Sequence, residues 1–561
     1  MSVNKRFPVA TATYVHPVPW DAPIDPEPLP LTFARQAQQQ GAAPLADFLG
    51  RSFSYAELYE EARGFAAALR EKGVGKGDRV GLFLPNVPTY IAAYYGAMMA
   101  GAVVVNFSPL YSAEELAQQV EDSGTLLLVT LGSPLLLPTA VQVLDGSSLV
   151  ALIVARLADM LPAAKSVALR TLGRRRIAAL PPRGDVTLWA DWQGDTANLP
   201  ALSPAPDDLA LLQYTGGTTG TPKGAMLSHG NLASNARQVD AIDPFGRDEP
   251  DSVLGALPLF HVFANTCVLN RTIVRGGRIA MVPRFDPGEV LKTITRTRPR
   301  AFPGVPTMFQ ALLDHKDCDR TDWSSLRICI SGGAPMPAPL REKFAARTGV
   351  RLVEGYGLTE SSGVVSTNPY LAEAKPGTIG QVLPQTRVLL LDKEDPTRLA
   401  PDGDPGELAI AGPQVMQGYW NRPASGRSDF AGMDGATWLR TGDVATIDED
   451  GYLAIVDRIK DMIAVGGFKV FPSQVEAVLV QHPAVKEALV VGRPDAYSGE
   501  KPAAYVTLSE DYEADGAALA EWLNARIGKH ERVSEVVVRG ELPKTMIGKL
   551  DRKALRQEVL A

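Results

Sequence analysis

Cysteine is scarce in this sequence. Only three of its 561 residues are Cys (Cys267, Cys318 and Cys329), an odd number with no C-x-x-C pair. That supports neither a disulfide framework nor a thiolate zinc site, and it points to a reducing compartment. Positive charge is not in excess either. The 56 Lys and Arg stand against 63 Asp and Glu, for a net charge of −7, so nucleic acid, which calls for a basic footprint, is not an expected partner. No apolar run is both long and unbroken. Residues 80–113 carry no charge, but Pro85, Pro88, Gly96, Gly101 and Pro109 interrupt them. The reading is strand, helix and strand inside a core rather than a membrane span. Gly132, Pro134 and Pro138 break the charge-free stretch 125–144 in the same way. Residues 7–20 hold three prolines and no apolar run, so no secretory signal is expected.

With 45% hydrophobic and 21% charged residues the chain reads as globular, and its length accommodates roughly three to four domain-sized units. From about residue 50, helical and apolar-strand patterns alternate, the α/β signature. Ser54 with Glu57, and Ser112 with Glu115, fit capping boxes that open helices. Residues 80–84, 103–106 and 126–130 are short apolar runs suited to buried parallel strands. After the acidic turn 448–451, a strand (452–456), a charged run (457–461), a helix expected to open with Ser473 and Glu476 as a third capping box, further strands and a helix around 516–527 form a small α+β unit of roughly a hundred residues.

The strongest chemical signal is residues 211–224, LLQYTGGTTGTPKG. An apolar strand runs into a loop holding Thr215, Gly216, Gly217, Thr218, Thr219 and Gly220, closed by Pro222, Lys223 and Gly224. Glycines let the backbone turn N–H groups toward an anion, threonines add hydroxyl donors, and Lys223 adds charge, which together suit a polyphosphate. It is not a Walker loop, because Gly follows the Lys where Ser or Thr would stand. A flexible linker has no reason to begin at an apolar strand or to end in Pro-Lys-Gly.

This loop resembles the phosphate loop of the adenylate-forming enzymes: acyl-CoA synthetases, luciferases and peptide-synthetase adenylation domains. Four more segments match that family in order along essentially the whole chain: 258–261 (PLFH), 355–360 (GYGLTE), Tyr419-Trp420 with Thr441-Gly442-Asp443, and 543–549 (PKTMIGK). The wording of 352–360 and 366–369 looks most like bacterial long-chain fatty-acid–CoA ligases. The resemblance implies an α/β fold, with a large N-terminal domain of layered α/β subdomains (1–457) and a small C-terminal α+β domain (458–561) on a hinge at Lys460. It implies a two-step reaction, in which a carboxylate attacks the α-phosphate of ATP to give acyl-adenylate and pyrophosphate, and the thiol of coenzyme A then displaces AMP.

Residue by residue, the resemblance makes Lys549 the cation that bridges carboxylate and α-phosphate. Glu360 and Thr215 become ligands of Mg2+, consistent with the preference of a hard cation for oxygen. Glu354, Gly355, Tyr356, Gly357 and Thr359 flank adenine on one side and Gly333 and Ala334 on the other, while Asp443, supported by Arg458, binds ribose. His261 is expected at the acyl pocket, as a gate between acyl and CoA sites, with a packed core histidine as the plain alternative. Gly466 and Gly467 are expected at the CoA tunnel in a second arrangement of the small domain. Where Ala464 stands, family members often carry Lys, which weakens any extra phosphate contact there. Phe263, Val268, Gly304, Val305 and Ser331 are expected to line an apolar acyl pocket. The expected partners are ATP, a medium- to long-chain fatty acid and coenzyme A. The alternatives are an aryl- or dicarboxylate-CoA ligase of the same fold and a non-catalytic nucleotide binder. The basic, partly apolar stretch 163–183 suggests contact of a cytoplasmic protein with the inner membrane surface, with a solvated helix face as the plainer alternative. The context of Lys549 also resembles one acetylated in bacterial relatives, which makes a lysine acetyltransferase and deacetylase expected partners; acetylation would remove its charge.

Overall fold

The computed structural model of the chain describes residues 13–201, 203–215, 222–246, 251–422, 429–433, 435–466, 468–509, 512–545 and 548–560. Two large sheets carry most of the chain. The first has eight strands, and its centre is the parallel set Val103–Asn106, Arg79–Phe83, Leu127–Leu131 and Ala151–Ala155. These strands are buried almost throughout, which explains why they read as continuous apolar runs rather than alternating ones. Between the first two in sequence lies the helix Pro88–Ala100, all thirteen residues of it buried. The charge-free stretch is therefore a core strand–helix–strand unit, and no helix among the described residues is long and apolar enough to cross a membrane. The stretch 125–144 divides into a strand and the start of the helix Leu137–Gly146.

The second sheet has nine strands. Ser252–Gly255, Ala301–Gly304, Ile328–Ser331 and Leu352–Tyr356 run parallel at its heart. Their carboxyl ends deliver Gly304, Ser331 and Tyr356 to one edge, the usual place for a ligand in such sheets. A five-stranded sheet that includes Ala436–Ile447 and Leu453–Arg458 follows. A last five-stranded sheet, built on the long hairpin Val485–Asp495 and Gly499–Leu508, carries its own apolar cores and forms the small C-terminal domain.

Of the three expected capping boxes one forms in full and one by half, the Glu57 carboxylate turning to Arg51. Ser54 accepts from the Glu57 N–H at 3.1 Å, and Ser112 with Glu115 makes the full reciprocal box. The third does not. The helix Pro472–Leu479 begins at a proline with Phe471 ahead of it and no side-chain cap. The Ser473 N–H instead donates to Asp457 Oδ2 at 2.7 Å, and Glu476 turns its carboxylate to Arg552 at 2.8 Å. In the basic stretch, the helix Ala163–Thr171 lies on the surface. Leu169 and Leu180 pack toward the core, Val167 and Leu172 are exposed, and Arg170 pairs with Asp159.

Candidate active site

The strand Leu209–Thr215 turns back into Lys223–Ser228, with Thr215 facing Lys223 across the ladder. Gly216, Gly217, Thr218, Thr219 and Gly220, which join the two strands in sequence, lie outside the described residues. At the base of the hairpin the Lys223 ammonium stands 3.3 Å from Asp429 Oδ2 and 4.8 Å above the centre of the Tyr419 ring. The Tyr419 hydroxyl donates to Glu360 Oε1 at 2.6 Å. Burial lifts the Glu360 carboxyl above its ordinary range, and the Tyr419 bond opposes that lift. Thr215, Lys223, Tyr419 and Glu360 all line one cavity of about 2150 Å³. Asp429 had no motif to announce it, and Tyr419 had a motif without a role; only the folded pairing shows that they orient the cation and the carboxylate.

In the same cavity, Tyr356 donates its hydroxyl to Asp443 Oδ2 at 2.5 Å, while Arg458 Nε meets Asp443 Oδ1 at 2.9 Å. One donor on each oxygen fixes the plane of the carboxylate. Asp443 and Arg458 are register partners on neighbouring strands, so the pairing is built into the sheet. Glu354 accepts the Met336 N–H at 3.1 Å, and burial pushes its carboxyl up to about 7. Gly333 adopts φ +81°, and Ala334, Gly355, Gly357 and Thr359 line the same cavity. A side chain at Gly357 would run into the Gly363 carbonyl, so the close turn here requires glycine.

Lys549 arrives from the small domain. A methyl group at Gly333 would collide with its Cε and Nζ, so the ammonium rests directly on that loop. Gly548 next to it accepts a hydrogen bond from Thr307 Oγ1 at 2.9 Å, which ties the lysine loop to the large domain. Burial, helped by the nearby Arg458 charge and opposed by Asp443, lowers the Lys549 pKa to about 8. His261 also lines the cavity, with Nδ1 accepting the Phe263 N–H at 3.3 Å. Burial, reinforced by Lys549, holds its pKa near 3. It is therefore neutral at physiological pH, and it caps the helical turn Val262–Ala264 on the cavity wall.

The acyl-pocket expectation divides. Phe263 and Val305 are on the cavity wall; Val268, Gly304 and Ser331 are not. Successive residues of a strand face opposite sides. Pro303, Val305, Ile330 and Gly332 point into the cavity, so Gly304 is turned against the Phe309 ring and Ser331 is fully buried with Oγ unpartnered among the described residues. Val268 packs against Gly255, one position round the helix from the cavity-lining Cys267. Lys460 reaches the cavity edge. Gly466 sits at φ +56° on an exposed hairpin with open space around it, away from the cavity; Gly467 lies outside the described residues.

Residues 33–420 match the family described as AMP-binding enzyme, and residues 474–549 the AMP-binding enzyme C-terminal domain. The chain belongs to this family. Among curated proteins it is 35% identical to a long-chain-fatty-acid–CoA ligase of Bacillus subtilis (strain 168), over 98% of this chain and 97% of that protein. It is 37% identical to one of Escherichia coli O6:H1, over 99% and 97%. Among solved structures, ATP-bound MatB from Rhodopseudomonas palustris superposes with a TM-score of 0.81 at 29% identity, covering 94% of this chain and 98% of that one. The apo form of the same enzyme gives 0.72 over the same coverage.

Proposed function

We propose that the chain activates a fatty acid as its acyl-adenylate and hands the acyl group to the thiol of coenzyme A, as an AMP-forming acyl-CoA synthetase. The observation that carries this reading is the Lys549 ammonium seated on Gly333, beside the Asp443–Arg458 pair and at the head of a cavity with a largely apolar lower part. The names of the full-length relatives support the same class.

Joining a carboxylate to a polyphosphate brings two anions together, so the site must supply positive charge where the new bond forms. Lys549 serves the carboxylate and α-phosphate, and Lys223, on the same cavity, the outgoing pyrophosphate. Tyr356 and the backbone at 333–334 hold the base, and Asp443 the ribose hydroxyls; fixing both reactants removes about 7–11 kcal/mol of barrier in favourable cases. Glu360 and Thr215 offer one carboxylate and one hydroxyl to a cation. No group of three or more metal-ligating side chains occurs among the described residues, and this sparse donor set fits Mg2+, which keeps water and substrate phosphates as its other ligands. When bound, Mg2+ neutralises phosphate charge. In the second step the coenzyme A thiol attacks the acyl carbon and AMP departs.

The hinge belongs at Lys460, dividing 1–457 from 458–561. Turning there withdraws Lys549 and carries Gly466 and Gly467 toward the coenzyme A entrance. Lys549 is also the target we assign to an acetyltransferase and deacetylase. The exposed Val167 and Leu172, beside Arg175 and Arg176, support contact of a cytoplasmic enzyme with an anionic membrane surface. The decisive experiment measures ATP–pyrophosphate exchange and coenzyme A-dependent AMP formation over aliphatic and aromatic acids. Fatty acids are expected to support both, and Lys549→Gln to lose exchange by about a thousandfold, the scale of a lost transition-state contact. Exchange at the wild-type rate in that variant would sink the assignment of Lys549.

A further inference from the structure

Two periodic stretches line the cavity, and we read the space between them as the acyl tunnel. Phe263, Cys267 and Arg271 follow one another in four-residue steps down one side. The segment Asn265–Asn270 is a π-helix, and its wide turn keeps such steps nearly in line. On the other side Gly332, Ile330 and Ile328 descend one face of a strand. The strand wall measures about 13 Å at strand rise.

The tunnel ends in charge. Arg271 is bonded to both Asp243 and Asp251, with Asp240 at 3.9 Å, and each of these four side chains is at most 9% exposed. Asp243 and Arg271 themselves line the cavity floor, with Tyr370 beside them. Just above this floor the lining is apolar, formed by Val239, Ile242, Cys267 and Val364. An alkyl chain gains by burying each methylene against that lining. On reaching the floor it can go further only by parting buried paired charges to which it offers no hydrogen bond in return.

We propose that the Arg271–Asp243–Asp251 cluster sets the acyl-chain length. An extended alkyl chain advances roughly 1.25 Å per carbon, from ordinary bond lengths and angles, so the tunnel with its head region takes acids of about ten to twelve carbons. This rests on the fatty-acid reading above.

The test is kcat/KM for coenzyme A-dependent AMP formation from hexanoic to octadecanoic acid, in the wild type, in Cys267→Trp and in Ile330→Phe, with thermal unfolding of each protein alongside. The wild-type value is expected to rise about fourfold per added methylene at first, to peak near dodecanoic acid, and to fall by about tenfold at hexadecanoic acid as the floor is met. Either substitution fills one wall midway and should raise the ratio of hexanoic to dodecanoic acid by about tenfold, as overfilling of a packed site does. Equal use of dodecanoic and octadecanoic acid by the wild type would overturn the proposal, and so would folded variants with the wild-type profile. Should neither variant fold, the wild-type series decides alone. Turnover of aromatic acids with no fatty acid of any length accepted would overturn the fatty-acid reading itself, a result distinct from a misplaced length optimum.

Discussion

Lys549 is held at a cost that its chemistry explains. Its pKa falls from 10.5 to about 8 because the cleft strips water from the ammonium and Arg458 repels it. Between those two values the unfolded chain binds more protons than the folded one, so stability rises with pH across that window and the charged lysine is a burden below it. Lys549→Met keeps the bulk and removes the charge. The nucleotide-free variant should therefore be more stable than the wild type at pH 7 by about 1–3 kcal/mol, while losing adenylation. Thermal unfolding against pH reads the first effect, and the gain should fade as the pH passes 8 toward 10.5. Bound phosphate favours the ammonium, so ATP binding near pH 8.5 should take up a proton in the wild type and not in the variant. Calorimetry in two buffers of different ionisation heat measures this, and identical binding heats in the two buffers would refute it.

At the scale of elements, Arg552 joins the loop of Lys549 to the rest of the small domain. It reaches Glu476 at 2.8 Å, Asp461 at 2.9 Å and Asp457 at 3.8 Å. Burial lifts Asp457 and Glu476 above the usual carboxylate range even with the arginine present. Arg552→Leu leaves buried carboxylates without a partner, which should destabilise the small domain by about 3–5 kcal/mol. The loss should be smaller at pH 5 than at pH 8, because orphaned carboxyls escape their charge by protonation; hydrogen exchange confined to residues 458–560 would read it out, and a uniform loss across both domains would count against it. This cluster also shows where sequence reading stops. The buried strands, the strand Leu209–Thr215 that leads into the phosphate loop, and the Ser54 and Ser112 caps were legible because each rests on local pattern. Ser473-x-x-Glu476 has the same local pattern as a capping box, yet Arg552, far along the chain, claims the glutamate. Likewise the faces of Val268 and Ser331 depend on a π-turn and on strand phase that composition does not reveal, and the Arg271 cluster joins residues that no motif connects.

The whole molecule must do two things with one cavity. Lys549 rests on Gly333 while Gly466 stands on an exposed hairpin; on the proposed hinge, this arrangement would serve adenylation and the thioester step would need another. The contact that holds it is specific enough to be trapped. A Cβ built on Gly548 lies 3.2 Å from Thr307 Oγ1, close to where the partner sulfur of a disulfide would sit. The double variant Thr307→Cys, Gly548→Cys should form that bond on oxidation, at a strain of about 1–2 kcal/mol for a side chain at φ +80°. The native thiols do not interfere, since Cys267, Cys318 and Cys329 are buried. The oxidised protein should keep ATP–pyrophosphate exchange within about threefold of its reduced form and lose coenzyme A thioester formation by about a hundredfold, with dithiothreitol restoring it, because the lock blocks only the domain rotation. Mass spectrometry of the linked peptides verifies the bond. Unimpaired thioester formation by the fully cross-linked enzyme would show that a single arrangement serves both steps, and the hinge at Lys460 would then have no role in the reaction.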